Sequence, residues 1–330
     1  MILKNKEYVY NGVLGNYIRD YVRMKQSFGC KFRTEAGILR RFDRYCTAQN
    51  LFAPILTKEF MRLWAEPRSN EMVRTRRSRC TAVSGFIKYL NSIGMEAALP
   101  PKIPIKAADK TFVPYIYTHE QISNIIANAD MMPQPKRGSM FHIVFPVILR
   151  VLYGCGLRIS EALALKKEDV NLTSGMITIY RSKNMNSRQT PISLSLKSAL
   201  NEYSGKMDSR IVPGGYFFPN AKGEQYSQRT TYDKFREILW LSGISHKGRG
   251  GPRLHDIRHT FCVHSLSRWV QDGRDGYVLL PVLATYLGHQ NIACTEQYLR
   301  LTAEMFPSVL EQTKTISDVV IPEVSDYETY

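Results

Sequence analysis

The sequence contains a group of cationic, proton-transferring and nucleophilic side chains of the types that phosphoryl transfer on a nucleic acid requires. Two arginines can bind the nonbridging oxygens of a phosphodiester through paired hydrogen bonds and stabilise a pentacoordinate transition state without a metal. A tyrosine can be the nucleophile if cations or a base help it to ionise, because its pKa is ordinarily about 10. A lysine or a histidine can protonate the departing 5′ oxygen. The candidates are Arg158, Lys183, His255, Arg258, His289 and Tyr298.

The charge of the chain favours a nucleic acid as its partner. The 330 residues include 45 Lys and Arg against 29 Asp and Glu, a formal net charge of +16, and residues 1–110 alone carry +12. A polyanion such as DNA or RNA is the natural partner of so basic a chain. An acidic membrane surface is the alternative, but no strongly amphipathic basic helix with an aromatic face supports it. Each candidate residue alone has an ordinary structural explanation, and their combination in a basic chain favours chemistry.

Apolar spacing in the first third of the chain predicts a bundle of about four helices. Apolar residues recur every three or four positions in the segments 14–22, 38–46, 56–64 and 72–90. The last segment also carries a cluster of arginines that can bind DNA phosphates, although a solvated charged face is the alternative. These arginines are Arg74, Arg76, Arg77 and Arg79.

Four prolines in residues 99–117 predict an extended, semi-rigid connection between two domains. Residues 1–98 form the predicted helical domain, and residues 118–310 form a second domain that opens with a capping box at Thr118 and Gln121. Apolar and polar residues alternate near 176–180 and 189–193, which predicts a β-hairpin. Most of the remainder has helical spacing, so the predicted fold class is mainly α with a small antiparallel β-sheet.

We expect no cofactor, no metal and no membrane span. The phosphate-binding pattern GxxxxGK[ST] does not occur, and the six cysteines form no CxxC pair. His255 and His259 are four residues apart, a spacing that can bind zinc, but no third ligand is evident. The apolar stretch 141–157 is interrupted by polar residues and predicts a buried helix. Since no secretory signal is visible either, we expect a cytoplasmic protein.

Four segments resemble the tyrosine recombinase (phage integrase) family in their order and spacing, and the resemblance extends from about Thr118 to Met305. The family's active site consists of Arg, Lys, His-x-x-Arg, His or Trp, and then Tyr. The resemblance implies an N-terminal helical core-binding domain with a SAM-like fold and a mixed α+β catalytic domain. The four segments are GLRISEALALKKEDV, SKNMNSRQTPI, LHDIRHTF and YLGHQNIACTEQYLRL.

The resemblance also implies a role for each of the main candidates. Arg158 and Arg258 correspond to the arginines that hold the phosphate. Lys183 corresponds to the general acid on the hairpin, and Tyr298 to the nucleophile that forms a 3′-phosphotyrosyl link. Ser182 and Asn184 flank Lys183 at positions where glycines are common in the family, which is a departure from its usual pattern.

Three further residues resemble supporting positions of the family. Of His255 and His289, one is expected to assist proton transfer and the other to donate a hydrogen bond to the phosphate. Glu161 matches the acidic residue that orients the pocket, and an ion pair with Arg158 at i, i+3 is a compatible structural explanation.

The activity implied is site-specific recombination of double-stranded DNA at a core site, through a Holliday junction and without ATP or a divalent metal. Four protomers would synapse two sites, the free protein would be a monomer, and the role of accessory proteins stays open. The acidic tail 311–330 is expected either to dock on a neighbour or to be disordered. The insertion SRWVQDGRDG resembles integrases or transposases of mobile elements. The alternatives are a Xer-like chromosome-dimer resolvase, a type IB topoisomerase and a non-catalytic DNA-binding protein.

Overall fold

The computed structural model divides the chain into two compact units, Met1–Val113 and Pro114–Tyr330. The division falls inside the proline-rich segment 99–117. Lys183 and the tail 311–330 lie outside the residues that the structure describes. The described residues are 8–30, 32–104, 113–135, 139–180, 187–246, 248, 251–289, 291–292, 295–296, 298 and 301–302.

The first unit has four helices in its described residues, as the apolar spacing predicts. They are α1 (Gly15–Ser27), α2 (Arg33–Ala48), α3 (Lys58–Ala65) and α4 (Val73–Ser92). Each turns its apolar stripe inward, and the side chains of Leu14, Phe42 and Phe86 are fully buried. The hydroxyl of Thr57 caps the start of α3 by accepting a hydrogen bond from the amide of Phe60.

The four arginines at the start of α4 have different surroundings, and one of them must be withdrawn from the expected DNA contacts. Arg74 and Arg77 are exposed, whereas Arg76 is half-buried and donates to the carbonyl oxygen of Ala65.

Arg79 is the arginine that is withdrawn, because its guanidinium is used inside the first unit. It pairs with the carboxylate of Glu71 at 2.7 Å and donates to the carbonyl oxygens of Trp64 and Glu66 at the end of α3. Its side chain is only 4% exposed. Arg79 therefore joins α3 to α4 and cannot reach a phosphate without breaking these bonds.

In its described residues the second unit has seven further α-helices that lie before residue 290, and one small sheet. Together with the helical first unit they confirm the predicted fold class. The helices are α5 (His119–Asp130), α6 (Phe141–Cys155), α7 (Ile159–Ala164), α8 (Leu194–Lys206), α9 (Gln228–Leu241), α10 (Asp256–Gln271) and α11 (Gly276–Leu287). The described residues between 295 and 302 are also helical. The expected capping box is present at the start of α5, where Thr118 and Gln121 exchange hydrogen bonds.

The sheet is antiparallel and contains the predicted hairpin. Its order is β1 (Val170–Asn171), β2 (Met176–Ile179) and β3 (Arg188–Pro191). Ile177 pairs with Thr190 and Ile179 with Arg188, so β3 begins directly opposite the end of β2.

Helix α6 is the central element of the second unit. It is apolar on nearly all sides and packs against α5, α7, α8 and α10. Most of its side chains are buried, which confirms the prediction of a buried helix. None of the helices in the described part of the chain has the length and the apolar run that a membrane crossing requires.

Candidate active site

Four of the six candidate residues lie at helix ends or in short connections of the second unit, and a fifth, Tyr298, lies within a helical segment. Arg158 immediately precedes α7, and His255 immediately precedes α10. Arg258 is in the first turn of α10, His289 follows α11 after one residue, and Tyr298 is helical. Residues distant in sequence are thus brought together by the points at which helices begin and end.

Two glycines shape the connections that hold the site. Gly156 ends α6 with a φ of +58°, and Gly288 ends α11 with a φ of +68°, both in the left-handed region. A Cβ at Gly156 would come within 2.4 Å of a phenylalanine ring, and one at Gly288 within 2.9 Å of a guanidinium group. Only glycine fits these turns, and the turns place Arg158 and His289 directly after them.

The carboxylate of Glu161 is surrounded by three arginines. Arg158 donates to Oε1 at 2.7 Å from its side chain and to Oε2 at 3.0 Å from its backbone amide. Arg188 donates to the two oxygens at 3.2 and 2.8 Å, and a nitrogen of Arg258 lies 3.9 Å from Oε2. Burial raises the pKa of this carboxyl, but the hydrogen bonds and charges of Arg188 and Arg158 outweigh it and lower the pKa to about 2.

The guanidinium of Arg258 is buried and is held by backbone carbonyl groups. It donates to the carbonyl oxygen of Gly156 at 2.7 Å and to that of Leu287 at 2.9 Å. Burial and the charge of Arg158 lower its pKa to about 10, so it stays charged at neutral pH. Arg258 therefore links the two turns that carry Arg158 and His289.

His289 lies between Arg258 and a threonine. Its Nε2 is 3.0 Å from the guanidinium of Arg258, and because a guanidinium only donates, Nε2 accepts this hydrogen bond. The proton is then on Nδ1, which donates to Oγ1 of Thr295 at 2.8 Å. Burial and the charges of Arg258 and Arg158 lower the pKa of His289 to about 4, so the imidazole is neutral.

The hydroxyl of Tyr298 is buried and meets a histidine that our sequence analysis considered only as a metal ligand. Tyr298 is 2% exposed, and its oxygen lies 2.9 Å from Nδ1 of His259. The rings of His255 and His259 are 5.0 Å apart and nearly perpendicular. Crowding by protein atoms and the charge of Arg258 lower the pKa of His255. The spacing His-x-x-Arg-His was the signal that could have placed His259 here.

Arg188 is a second residue that our sequence analysis missed. Besides its bonds to Glu161, it donates from Nε to the carbonyl oxygen of Tyr286 at 2.9 Å, near the end of α11. It is the first residue of β3, so it fixes one end of that strand, and Lys183 comes five residues before it in the sequence. No sequence pattern identifies Arg188 as a site residue, because the residues that it contacts are far from it in the sequence.

The site as a whole can bind a phosphodiester and transfer protons. It combines three guanidinium groups, neutral imidazoles and a phenol within a few contacts of one another. Among the residues that the structure describes, no three His, Cys, Asp or Glu are grouped so that they could hold a metal ion.

Comparison with known proteins identifies a protein family and a relative that each match more than half of this chain. The family described as the phage integrase family matches residues 116–305. The candidate integrase/recombinase y4rB of Sinorhizobium fredii is 29% identical over 304 residues, which cover 89% of this chain and 95% of that protein.

Two solved structures have a similar fold. A XerH site-specific recombinase bound to palindromic difH substrate matches with a TM-score of 0.61 and 18% identity, over 86% of this chain and 79% of that one. The Tn1549 transposon integrase in complex with transposon right end DNA matches with a TM-score of 0.59 and 16% identity, over 86% and 94%.

Protonation of Glu161 is expected to destabilise the protein at low pH. Its pKa in the folded protein is about 2, below the ordinary 4.5. Its contribution is thus complete above about pH 5 and is lost as the pH falls towards about 2. A shift of this size corresponds to about 3 kcal/mol at neutral pH. We expect Glu161→Gln to lower the free energy of unfolding at pH 7 and to weaken its dependence on pH, measured by urea denaturation with circular dichroism.

Glu224→Gln is the matched control, because Glu224 is exposed and lies outside the site. It should denature as the wild type does at every pH. An unchanged dependence on pH in Glu161→Gln would contradict the assignment of the lowered pKa to this carboxyl.

Proposed function

The chain belongs to the phage integrase family of tyrosine recombinases, and from this membership we propose that it is the site-specific recombinase of a mobile element, an integrase or transposase. It cleaves and rejoins double-stranded DNA at a specific core site through a 3′-phosphotyrosyl intermediate and a Holliday junction. The observation that carries this proposal is the contact of the buried hydroxyl of Tyr298 with an imidazole, beside the guanidinium of Arg258.

Arg158 and Arg258 bind the nonbridging oxygens of the scissile phosphate in this proposal. Support comes from Glu161, whose carboxylate lies between the two guanidinium groups and fixes their separation. Arg158 keeps 20% of its side chain exposed, so a phosphate can approach it from solvent. Paired charges of this kind stabilise the extra negative charge that develops on the phosphorus oxygens during the reaction.

The covalent step exchanges one phosphate ester for another. The oxygen of Tyr298 forms a bond to phosphorus, the bond from phosphorus to the 5′ oxygen breaks, and Lys183 gives a proton to that oxygen. Rejoining reverses these events with the 5′ hydroxyl of another strand. Because a phosphodiester and a phosphotyrosine have similar energy, neither ATP nor a metal or other cofactor is needed.

Two histidines assist this step in the proposal. His255 helps with proton transfer, and His289 donates a hydrogen bond to the phosphate. His289 now accepts from Arg258 through Nε2, so its role as a donor requires Arg258 to turn towards the phosphate and the imidazole proton to move to Nε2. The bond between Nδ1 and Thr295 can persist, since a hydroxyl donates as well as accepts.

We assign the core-binding role to residues 1–98, the linker to 99–117 and catalysis to residues 118–310. Arg74 and Arg77, which are exposed, and the half-buried Arg76 contact the DNA backbone. Four copies synapse two core sites in the cytoplasm, and the free protein is a monomer. Family membership supports this assembly, in which accessory proteins can take part.

The mobile-element role is favoured by the insertion at residues 267–276, which covers the end of α10 and its connection to α11. The similarity to y4rB over 95% of that protein also supports it. A chromosome-dimer resolvase is the second candidate, favoured by the fold similarity to a XerH recombinase.

Covalent capture tests the proposed function and separates its alternatives. We expect the wild type, mixed with nicked duplex fragments of its source DNA and denatured in detergent, to retain DNA ending at one core sequence. Tyr298→Phe should retain none, because the nucleophile is lost. Sequencing the retained DNA distinguishes element ends from a chromosomal site.

Three other results would contradict the proposal. Adducts without sequence preference would indicate a type IB topoisomerase, binding without any adduct would indicate a non-catalytic protein, and adducts that survive in Tyr298→Phe would exclude this nucleophile.

Charge reversal on α4 tests the DNA contacts of the first unit. Arg74→Glu with Arg77→Glu should weaken DNA binding and reduce the slope of log K against log salt by about 2, since each phosphate contact contributes about 0.9. Arg62→Gln is the control, because Arg62 is exposed but already paired with Glu59 and Glu66. Equal salt slopes in the double variant and the wild type would show that Arg74 and Arg77 do not contact the DNA backbone.

A further inference from the structure

His259 is a half-buried imidazole that the proposed reaction leaves without a role. Its Nδ1 lies 2.9 Å from the hydroxyl oxygen of Tyr298. We propose that His259 is the general base that takes the phenol proton of Tyr298 when the tyrosine attacks DNA. This inference rests on the proposed function, because it supplies a step of the same reaction.

The geometry places the imidazole of His259 next to the hydroxyl of Tyr298, the proposed nucleophile. His259 follows Arg258 directly and lies one turn after His255 on α10. The ring centroids of His259 and Tyr298 are 5.6 Å apart. Since Tyr298 is only 2% exposed, bulk water has little access to its hydroxyl, and a protein group is the better placed acceptor.

The other groups near the phenol are less suited to take its proton. Both nitrogens of His289 already have partners, namely Arg258 and Thr295. The thiol of Cys262 is hydrogen-bonded to Tyr298, but burial raises the pKa of this thiol to about 12. The thiol therefore stays protonated at neutral pH. In the tautomer with its proton on Nε2, His259 has a lone pair on Nδ1, to which the phenol donates.

The charges around His259 connect its basicity to DNA binding. Burial lowers its pKa to about 3, with further contributions from Arg258 on α10, from His255 and Arg253 before α10, and from His289 after α11. It is therefore neutral in the free protein. A phosphodiester bound by Arg158 and Arg258 adds negative charge beside these cations, which raises the affinity of the imidazole for a proton.

The step balances in both directions. During cleavage the proton of Tyr298 moves to Nδ1 of His259, the phenol oxygen bonds to phosphorus, and the 5′ oxygen leaves with a proton from Lys183. During rejoining Lys183 takes the proton of the attacking 5′ hydroxyl. The oxygen of Tyr298 then leaves phosphorus and recovers its proton from His259, so both side chains return to their initial states.

The test is the single-turnover rate of adduct formation with a nicked DNA substrate, measured against pH. His259→Asn keeps an acceptor near the position of Nδ1 but cannot take a proton. We expect its rate at pH 7 to fall by a factor of at least about 100. We also expect the rate to rise close to tenfold per pH unit up to about pH 9, as hydroxide replaces the base, whereas the wild type is much less sensitive.

His246→Asn is the matched control, because His246 forms a similar pair with the hydroxyl of Tyr232 away from the site. Its rate and pH profile should equal those of the wild type. His259→Gln serves as a second variant if His259→Asn folds poorly, and DNA affinity is measured for each.

A substrate with sulfur in place of the bridging 5′ oxygen separates the base from the acid. A thiolate leaves without a proton, so this substrate should restore the rate of Lys183→Ala but not that of His259→Asn. Restoration in His259→Asn would overturn the proposal, because the histidine would then act on the leaving group. A wild-type rate and pH profile in the His259 variants would overturn it too. Failure of the proposed function looks different, since the wild type itself would form no tyrosyl adduct with either substrate.

Discussion

The second unit has to bury several positive charges close together, and a single carboxylate allows it to do so. Arg258 is almost fully buried, and Arg158 and Arg188 bond directly to Glu161. Cations withdrawn from water are strongly destabilising unless a negative charge and hydrogen bonds compensate for them. Glu161 supplies both to Arg158 at the start of α7 and to Arg188 at the start of β3, and it supplies its negative charge to Arg258 in the first turn of α10, 3.9 Å away. The relative positions of these three elements therefore depend on it.

The same interaction prepares the site for a negatively charged ligand. Arg258 remains charged, whereas burial and the positive charges nearby keep the imidazoles of His289 and His259 neutral. The carbonyl groups of Gly156 and Leu287 hold Arg258 in place before any ligand binds. Groups that are held close together in advance reorganise less during the reaction, which makes electrostatic stabilisation more effective in catalysis. The histidines gain affinity for protons only when a phosphate offsets the arginines.

Periodicity predicts the four helices of the first unit, the hairpin and a mainly α fold with a small antiparallel sheet, because the apolar stripes of this chain are regular. The family resemblance located Arg158, Glu161, Arg258 and Tyr298, which the structure brings together. It did not reveal Arg188, whose partner Glu161 is 27 positions away in sequence. The error over Arg79 has a visible cause, since Arg79 shares a helix face with the buried Val83 and Phe86 at i+4 and i+7. The position of Arg79 on the buried face of α4, rather than its charge, indicates that it does not contact DNA.

In the proposed reaction, Glu161 orders the arginines for the transition state rather than for DNA binding. The most direct measurement is the single-turnover rate of covalent adduct formation by Glu161→Gln, together with its affinity for the same nicked DNA. We expect a rate lowered by about 100-fold, because small displacements of catalytic groups have effects of this size. We also expect a dissociation constant within about threefold of the wild type, a change of less than 1 kcal/mol. An unchanged rate, or a loss of affinity as large as the loss of rate, would contradict this role of Glu161.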